Sequence, residues 1–140
     1  MGTYLSTPVL DKCWEEGEDL DNTTPVAWGV VDMQGWRKSM EDAHIVQTDV
    51  ESPRYKGDPK TISTLQNGGS RDNTQVFAVF DGHGGAEVAR FCQLYLVDVL
   101  KRQNGWNLND SSDADEVDVG KALVNCFHAI DDLLRDPRRL

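Results

Sequence analysis

Gln75-Val76-Phe77-Ala78-Val79-Phe80-Asp81-Gly82-His83-Gly84-Gly85 is a short apolar run that stops abruptly on an aspartate and a glycine-dense turn. A continuous run of this length, rich in β-formers, predicts a strand covered on both faces and lying deep in the core. The segment after the turn decides the fold. Val88, Phe91, Cys92, Tyr95, Leu96, Val99 and Leu100 recur at spacings of three and four, the stripe of an amphipathic helix ending near Gln103-Asn104-Gly105. Asp-Gly is a common hairpin signal, yet a hairpin leads into a second strand, and here the chain enters a helix.

Working outward, Val26-Ala27-Trp28-Gly29-Val30-Val31 reads as a strand, with Thr24-Pro25 before it and Gln34-Gly35 after it as turn signals. Ala43-His44-Ile45-Val46-Gln47-Thr48-Asp49-Val50 alternates partially and predicts a strand exposed on one face. The two are placed to pair as neighbours across residues 35–42. Residues 51–73 turn polar, with no sustained hydrophobic period, and read as a loop insertion. Residues 1–24 form an acidic, exposed lead-in. After a polar link beginning at Trp106, a second helical stripe runs through Val119, Ala122, Leu123, Cys126, Phe127, Ile130, Leu133 and Leu134. Asp115, Glu116 and Asp118 suit the start of that helix, and Arg135 and Pro137 suit its end. Cys92 and Cys126 fall on the two stripes as small core residues.

Strands followed by two long helices, with no sheet segment between the helices, predict an α+β fold with antiparallel strands and helices on a face. Two helices over three strands leave much of one sheet face bare. The expectation is therefore an incomplete domain.

Bulk properties narrow the function. A chain of 140 residues, 39% hydrophobic and 27% charged, has the make-up of one soluble domain. Its formal net charge of -10 opposes nucleic acid, whose phosphates demand a basic surface. Three cysteines, Cys13, Cys92 and Cys126, with no C-x-x-C pairing argue against a disulfide framework or a thiolate zinc site and for a reducing, cytoplasmic setting. The N-terminus has no secretory pattern, and no apolar stretch approaches a membrane span. Met1-Gly2-Thr3-Tyr4-Leu5-Ser6 does satisfy the acceptor pattern for N-myristoylation of Gly2, although an ordinary initiator followed by glycine fits it equally. A single acyl chain binds membrane marginally, and Glu15, Glu16, Glu18, Asp19 and Asp21 would be repelled by anionic lipid. Membrane contact through Gly2 is expected to be weak and reversible.

Two clusters carry chemistry. Around Asp81, glycines let the backbone approach a ligand, so a carboxylate and a main-chain carbonyl can serve a hard cation such as Mg²⁺ or Mn²⁺ together. Three glycines about His83 exceed what a simple connection needs. Arg37-Lys38-Ser39-Met40-Glu41-Asp42 sets a guanidinium four residues before a carboxylate pair; the fork suits phosphoryl oxygens and the acids suit metal-bound water. Taken alone, this second cluster reads as a solvated loop. Asp110, Asp113, Asp115 and Asp118 lack the central glycine and closing glutamate of a calcium loop, and there is no G-x-x-x-x-G-K-[ST] cradle for a nucleotide.

Together the clusters resemble the protein phosphatase 2C family of metal-dependent phosphatases. The likeness rests on Arg37, Met40, Glu41, Asp42 and Ala43, on Phe80 through Gly85, and on Gly2, Ala86, Phe91-Cys92, Asp131 and Leu134 beyond them. It implies the N-terminal part of a four-layer αββα sandwich, in which residues 25–140 are a portion of the phosphatase domain. It implies that Asp81 bridges two Mn²⁺ or Mg²⁺ ions, that the Gly82 carbonyl binds one, and that Glu41 and Asp42 hold the metal shell largely through water. Arg37 would clamp the phosphate, and His83 would be the general acid for the departing oxygen of phosphoserine or phosphothreonine in a protein substrate. His44 and His128 have weaker claims, as a strand residue and a helix-edge residue. The whole admits two readings: a monomeric phosphatase, of which this chain is a truncated and inactive portion, and a non-catalytic regulatory or substrate-binding relative.

Overall fold

The computed structural model describes residues 4–51, 53, 73–106 and 118–136. Gly2 and nearly all of the 51–73 insertion lie outside these residues, as do Asp115, Glu116 and Pro137. The elements in chain order are β1 (Tyr4–Asp19), β2 (Val26–Arg37), β3 (Ala43–Glu51), β4 (Asn73–Phe80), α1 (Glu87–Lys101) and α2 (Val119–Arg135). The strands form two antiparallel two-stranded sheets, β1 with β2 and β3 with β4. This α+β arrangement agrees with a partial sandwich.

Three expectations about the strands are corrected. First, the acidic lead-in is mostly strand: β1 pairs with β2 from Lys12↔Met33 through Asp19↔Val26. Asp11, Glu15, Glu16 and Glu18 remain exposed, so the strand is held mainly by the ladder and not by burial of its own side chains. Second, β2 does not pair with β3, because β1 takes β2 and β4 takes β3. Third, β4 is covered on one face only. Val76, Ala78 and Phe80 pack against the core, whereas Phe77 and Val79 are 48% and 75% exposed on the other side.

The core lies between the β3–β4 sheet and the helices. Ile45 and Val50 from β3 meet Leu96, Val97, Val99 and Leu100 of α1 and Ala122, Cys126 and Ile130 of α2. The predicted stripes hold at Leu96, Val99 and Leu100 of α1 and at Ala122, Cys126 and Ile130 of α2, whereas Val88, Val119, Leu123 and Phe127 are exposed. Asp118 caps α2 by accepting from the Lys121 amide at 2.9 Å, satisfying a donor that the first turn leaves unpaired. Trp106, read from sequence as the start of a polar link, is instead core, with its indole N–H donating to the Glu51 carbonyl at 3.1 Å. Gly105 makes this possible, since a β-carbon there would collide with the Asp118 carbonyl. Cys126 is buried and its thiol donates to the Leu96 carbonyl at 3.5 Å; burial pushes its pKa up to about 11, with the nearby Cys92 adding to the rise.

Polar contacts join the two sheets. Buried Asn22, at the β1–β2 corner, donates to the Asn73 carbonyl at 2.9 Å, and Gln75 donates to the Thr24 carbonyl at 2.7 Å. At the opposite end His44 Nδ1 lies 3.9 Å from Asp32 Oδ2, beside a cleft of about 270 Å³ that Val30, Met33, Met40, Asp42 and Val79 help to line. Within β1–β2, Trp28 lies so close over Gly17 that a β-carbon there would stand 2.6 Å from the indole.

Candidate phosphate and metal corner

The register of β3 and β4 builds the site. Ala43 stands opposite Phe80, and His44 opposite Val79, so each step toward the N-terminal end of β3 is a step toward the C-terminal end of β4. Carrying that register one step outward sets Asp42 against Asp81, and a second step sets Glu41 against Gly82. The contact at the second step is direct. A β-carbon on residue 82 would collide with the Glu41 carbonyl and lie 2.8 Å from its carbonyl carbon, so only glycine allows the two main chains to approach this closely. The two clusters, some forty residues apart in sequence, therefore meet at one corner.

The turn beyond Gly82 needs its other glycines for a different reason. Gly84 and Gly85 have φ of 80° and 135°, where a side chain is strained. This backbone leads the chain from β4 into α1, whose first turn carries Glu87.

Glu41 is the most constrained acid at the corner. Ser39 Oγ donates to its Oε1 at 2.9 Å. That hydroxyl first, then the Gly85 amide, hold the carboxyl below its ordinary pKa against the opposing effect of desolvation; the Gly84 amide and the charge of His83 add smaller contributions. Because the folded state favours the ionised form, the tie is complete above the ordinary carboxylate pKa and is lost as pH falls through the lowered one.

The predicted residues are not equally well gathered. The Glu41 main chain meets Gly82, the register carried one step beyond Ala43↔Phe80 puts Asp42 opposite Asp81, and His83 influences the Glu41 carboxylate electrostatically. Asp42, Asp81 and His83 are not held in the same way: Asp81 and His83 are exposed, and among the described residues no hydrogen bond ties any of the three side chains. Arg37 closes β2 and is exposed; Gln34 donates to its carbonyl at 2.9 Å, but among the described residues no hydrogen bond or ion pair links its guanidinium to Asp81 or His83. His44 is tied elsewhere, through Asp32 and through its carbonyl, which accepts from Gln93 at 2.7 Å. His128 is exposed on α2. Ser39 is the residue that sequence reasoning missed; a hydroxyl two positions before an acid in an irregular connection is a local pattern that signals such a bond.

As donors, carboxylates and a main-chain carbonyl fit a hard divalent ion in kind. In number they fall short: no group of three or more His, Cys, Asp or Glu side chains converges among the described residues.

The family model for protein phosphatase 2C matches residues 26–139. The chain is 33% identical over 138 residues to probable protein phosphatase 2C 58 of Oryza sativa subsp. japonica, covering 99% of this chain and 29% of that one. It is 36% identical to protein phosphatase 2C homolog 2 of Saccharomyces cerevisiae, covering 98% and 24%. It is 38% identical over 131 residues to protein phosphatase 1G of Rattus norvegicus, covering 94% and 19%. It thus spans less than a third of each of these three relatives. With the paired motifs at one corner and a family match over most of its length, the chain belongs to the protein phosphatase 2C family.

Proposed function

We propose that this chain supplies the phosphate- and cation-facing corner of a protein serine/threonine phosphatase that hydrolyses phosphoserine and phosphothreonine. The observation that carries the reading is the Ala43↔Phe80 register, which sets Glu41 and Asp42 beside Asp81 and Gly82. These three carboxylates and the Gly82 carbonyl would hold Mn²⁺ or Mg²⁺, two ions to the complete site. The chemistry such ions supply when bound is acidification of water and neutralisation of phosphoryl charge. Arg37 would grip phosphoryl oxygens with its planar fork, and His83 would hold the proton for the departing serine or threonine oxygen. No side chain is asked to form a covalent phosphoenzyme.

The short donor set implies that residues 1–140 alone bind divalent ions weakly and turn over little substrate. That shortage, with Val31 and Val79 left bare on strand faces, also favours a second reading as a non-catalytic regulatory relative. The two part in one experiment. The protein purified as the cell makes it is given a phosphothreonine peptide in Mn²⁺, alongside Asp81→Asn and His83→Ala. Mn²⁺-dependent turnover abolished by the first and lowered by the second supports the phosphatase. Peptide binding without turnover supports the regulatory relative, and neither binding nor turnover contradicts both. The reading extends to Gly2, whose acylation would give a cytoplasmic protein weak, reversible membrane contact; the mass of the native N-terminal peptide tests that directly.

A further inference from the structure

Asn22, between β1 and β2, is the one buried polar side chain among the described residues, at 3% exposure. All four hydrogen-bonding positions of its amide are taken. Nδ2 donates to the Asn73 carbonyl at 2.9 Å and to Asp19 Oδ2 at 3.3 Å, and Oδ1 accepts from the Thr24 amide and the Thr23 hydroxyl, each at 3.2 Å. One side chain therefore closes its own turn and also crosses to the first residue of β4. Gln75, two residues along β4, crosses back to the Thr24 carbonyl at 2.7 Å.

Away from this corner the two sheets stand apart. Among the described residues no strand or helix of the packed half runs alongside β1 or β2. A cleft of about 670 Å³ opens between residues 18–21 and 46–49, and another of about 270 Å³ between Val30–Met33 and His44 with Val79. The ring of Trp28 covers Gly17 of its own sheet and is not among the side chains packed on the core. The far contact, His44 Nδ1 to Asp32 Oδ2 at 3.9 Å, joins two partly exposed side chains and contributes little. Meanwhile the ladder from Lys12↔Met33 through Asp19↔Val26 is continuous, so the sheet itself is stiff. At about 3.3 Å per residue β2 is a lever of roughly 35 Å, and a tilt of ~10° at the Asn22 end carries Arg37 by ~6 Å.

We propose that the β1–β2 sheet is a strap anchored by Asn22, which swings as one unit about that corner and so moves the Arg37 end of β2 relative to Asp81 without opening the core. Local opening of this kind is expected where few apolar contacts hold an element to the rest of the fold. The swing is a matter of position and does not depend on the phosphate role proposed for Arg37.

The test uses the 140-residue chain as wild type, Asn22→Ala, Gln75→Ala and Asp32→Ala, each carrying a nitroxide on exposed Cys13, which stands opposite Asp32 in the ladder. Broadening of the His44 and Val79 amides by NMR reports the distance between the sheets, that of Trp28 and Gly35 the integrity of β1–β2, and hydrogen exchange at Leu96 and Ile130 the core. Asn22→Ala is expected to lose much of the broadening at His44 and Val79, because removing the partner of a buried carbonyl shifts the anchored population about tenfold or more. Trp28, Gly35 and the core amides are expected to stay as in wild type. Gln75→Ala, which removes an exposed crossing bond, is expected to give a smaller loss at the same two amides, and Asp32→Ala almost none. Unchanged broadening in Asn22→Ala overturns the anchor, and equal loss in Asp32→Ala shows a sheet pinned at both ends. Loss at Trp28 and Gly35 as well shows the ladder coming apart and overturns the swing. Faster exchange at Leu96 and Ile130, or loss of the fold in Asn22→Ala, makes strap and core one unit and overturns the proposal. A wild type with no broadening at His44 and Val79 overturns it outright.

Discussion

The two sheets have the same strand number and the same antiparallel pairing, but they are stabilised differently. The β3–β4 sheet packs against α1, which packs in turn against α2, and it contributes Ile45 and Val50 to a core in which Leu100 is only 2% exposed. The β1–β2 sheet has no helix against it among the described residues and presents Trp14 and Val31 at 68% and 65% exposure. The first is held by burial of apolar surface, and the second by its ladder and a few polar ties such as Asn22 to Asn73. Glu41, Asp42, Asp81 and Gly82 sit at the end of the packed sheet, whereas Arg37 ends the bare one, with no hydrogen bond or ion pair among the described residues joining its guanidinium to Asp81 or His83.

The largest expected break of this contrast is Leu100→Ala, which removes a fully buried side chain between α1, α2 and β3 and should cost about 2–5 kcal/mol in urea unfolding. Val31→Ser, on the bare face of β2, should cost within ~0.5 kcal/mol. Equal costs would show that the bare sheet is covered in solution. Next comes Gly82→Ala. The added β-carbon meets the Glu41 carbonyl, so a loss of about 1–3 kcal/mol is expected in urea unfolding.

The packed half was the legible half. The helices were readable because only a buried stripe selects apolar residues at spacings of three and four, as from Leu96 to Leu100 and from Ala122 to Ile130. Strand β1 was not, since neither face of Glu15, Glu16 and Glu18 is buried and nothing selects alternation there; its pairing is decided by β2's backbone. The apolar run of β4 suggested cover on both faces because sequence records the side chains and not what covers Phe77 and Val79. The motif residues of the corner were legible, but their meeting followed only from the family resemblance, because residue patterns do not give the register that pairs β4 with β3. Trp106 was misplaced for a similar reason: its neighbours are polar, and its burial is created by Gly105 and the return of the chain at Asp118.

Smaller effects sharpen the same contrast. Asp118→Ala should remove the α2 cap and cost about 1 kcal/mol in thermal or urea unfolding, while an equivalent acid on β1, Glu16→Ala, should be close to neutral. The cysteines provide a probe that leaves the structure unchanged. At neutral pH a thiol reagent should modify exposed Cys13 first, with half-buried Cys92 slower and Cys126 last. Cys126 should become thiolate only near pH 11. Because the folded state holds that proton longer than the unfolded chain does, its contribution to stability is complete below the ordinary thiol pKa and declines as pH rises toward 11. Rapid modification of Cys126 at neutral pH would show that the packed half opens as readily as the bare one.

The register of β3 and β4 brings two distant clusters to one corner, and the proposal is that this corner gathers divalent ions. Mn²⁺ added in small steps to the isotopically labelled chain tests it, because the ion broadens amide resonances according to their distance from it. The account predicts that residues 41–43 and 80–85 broaden together at the lowest Mn²⁺ levels, ahead of the exposed acids Glu15, Glu16 and Glu18. Broadening that begins along β1 while the Asp81 corner stays sharp would contradict it.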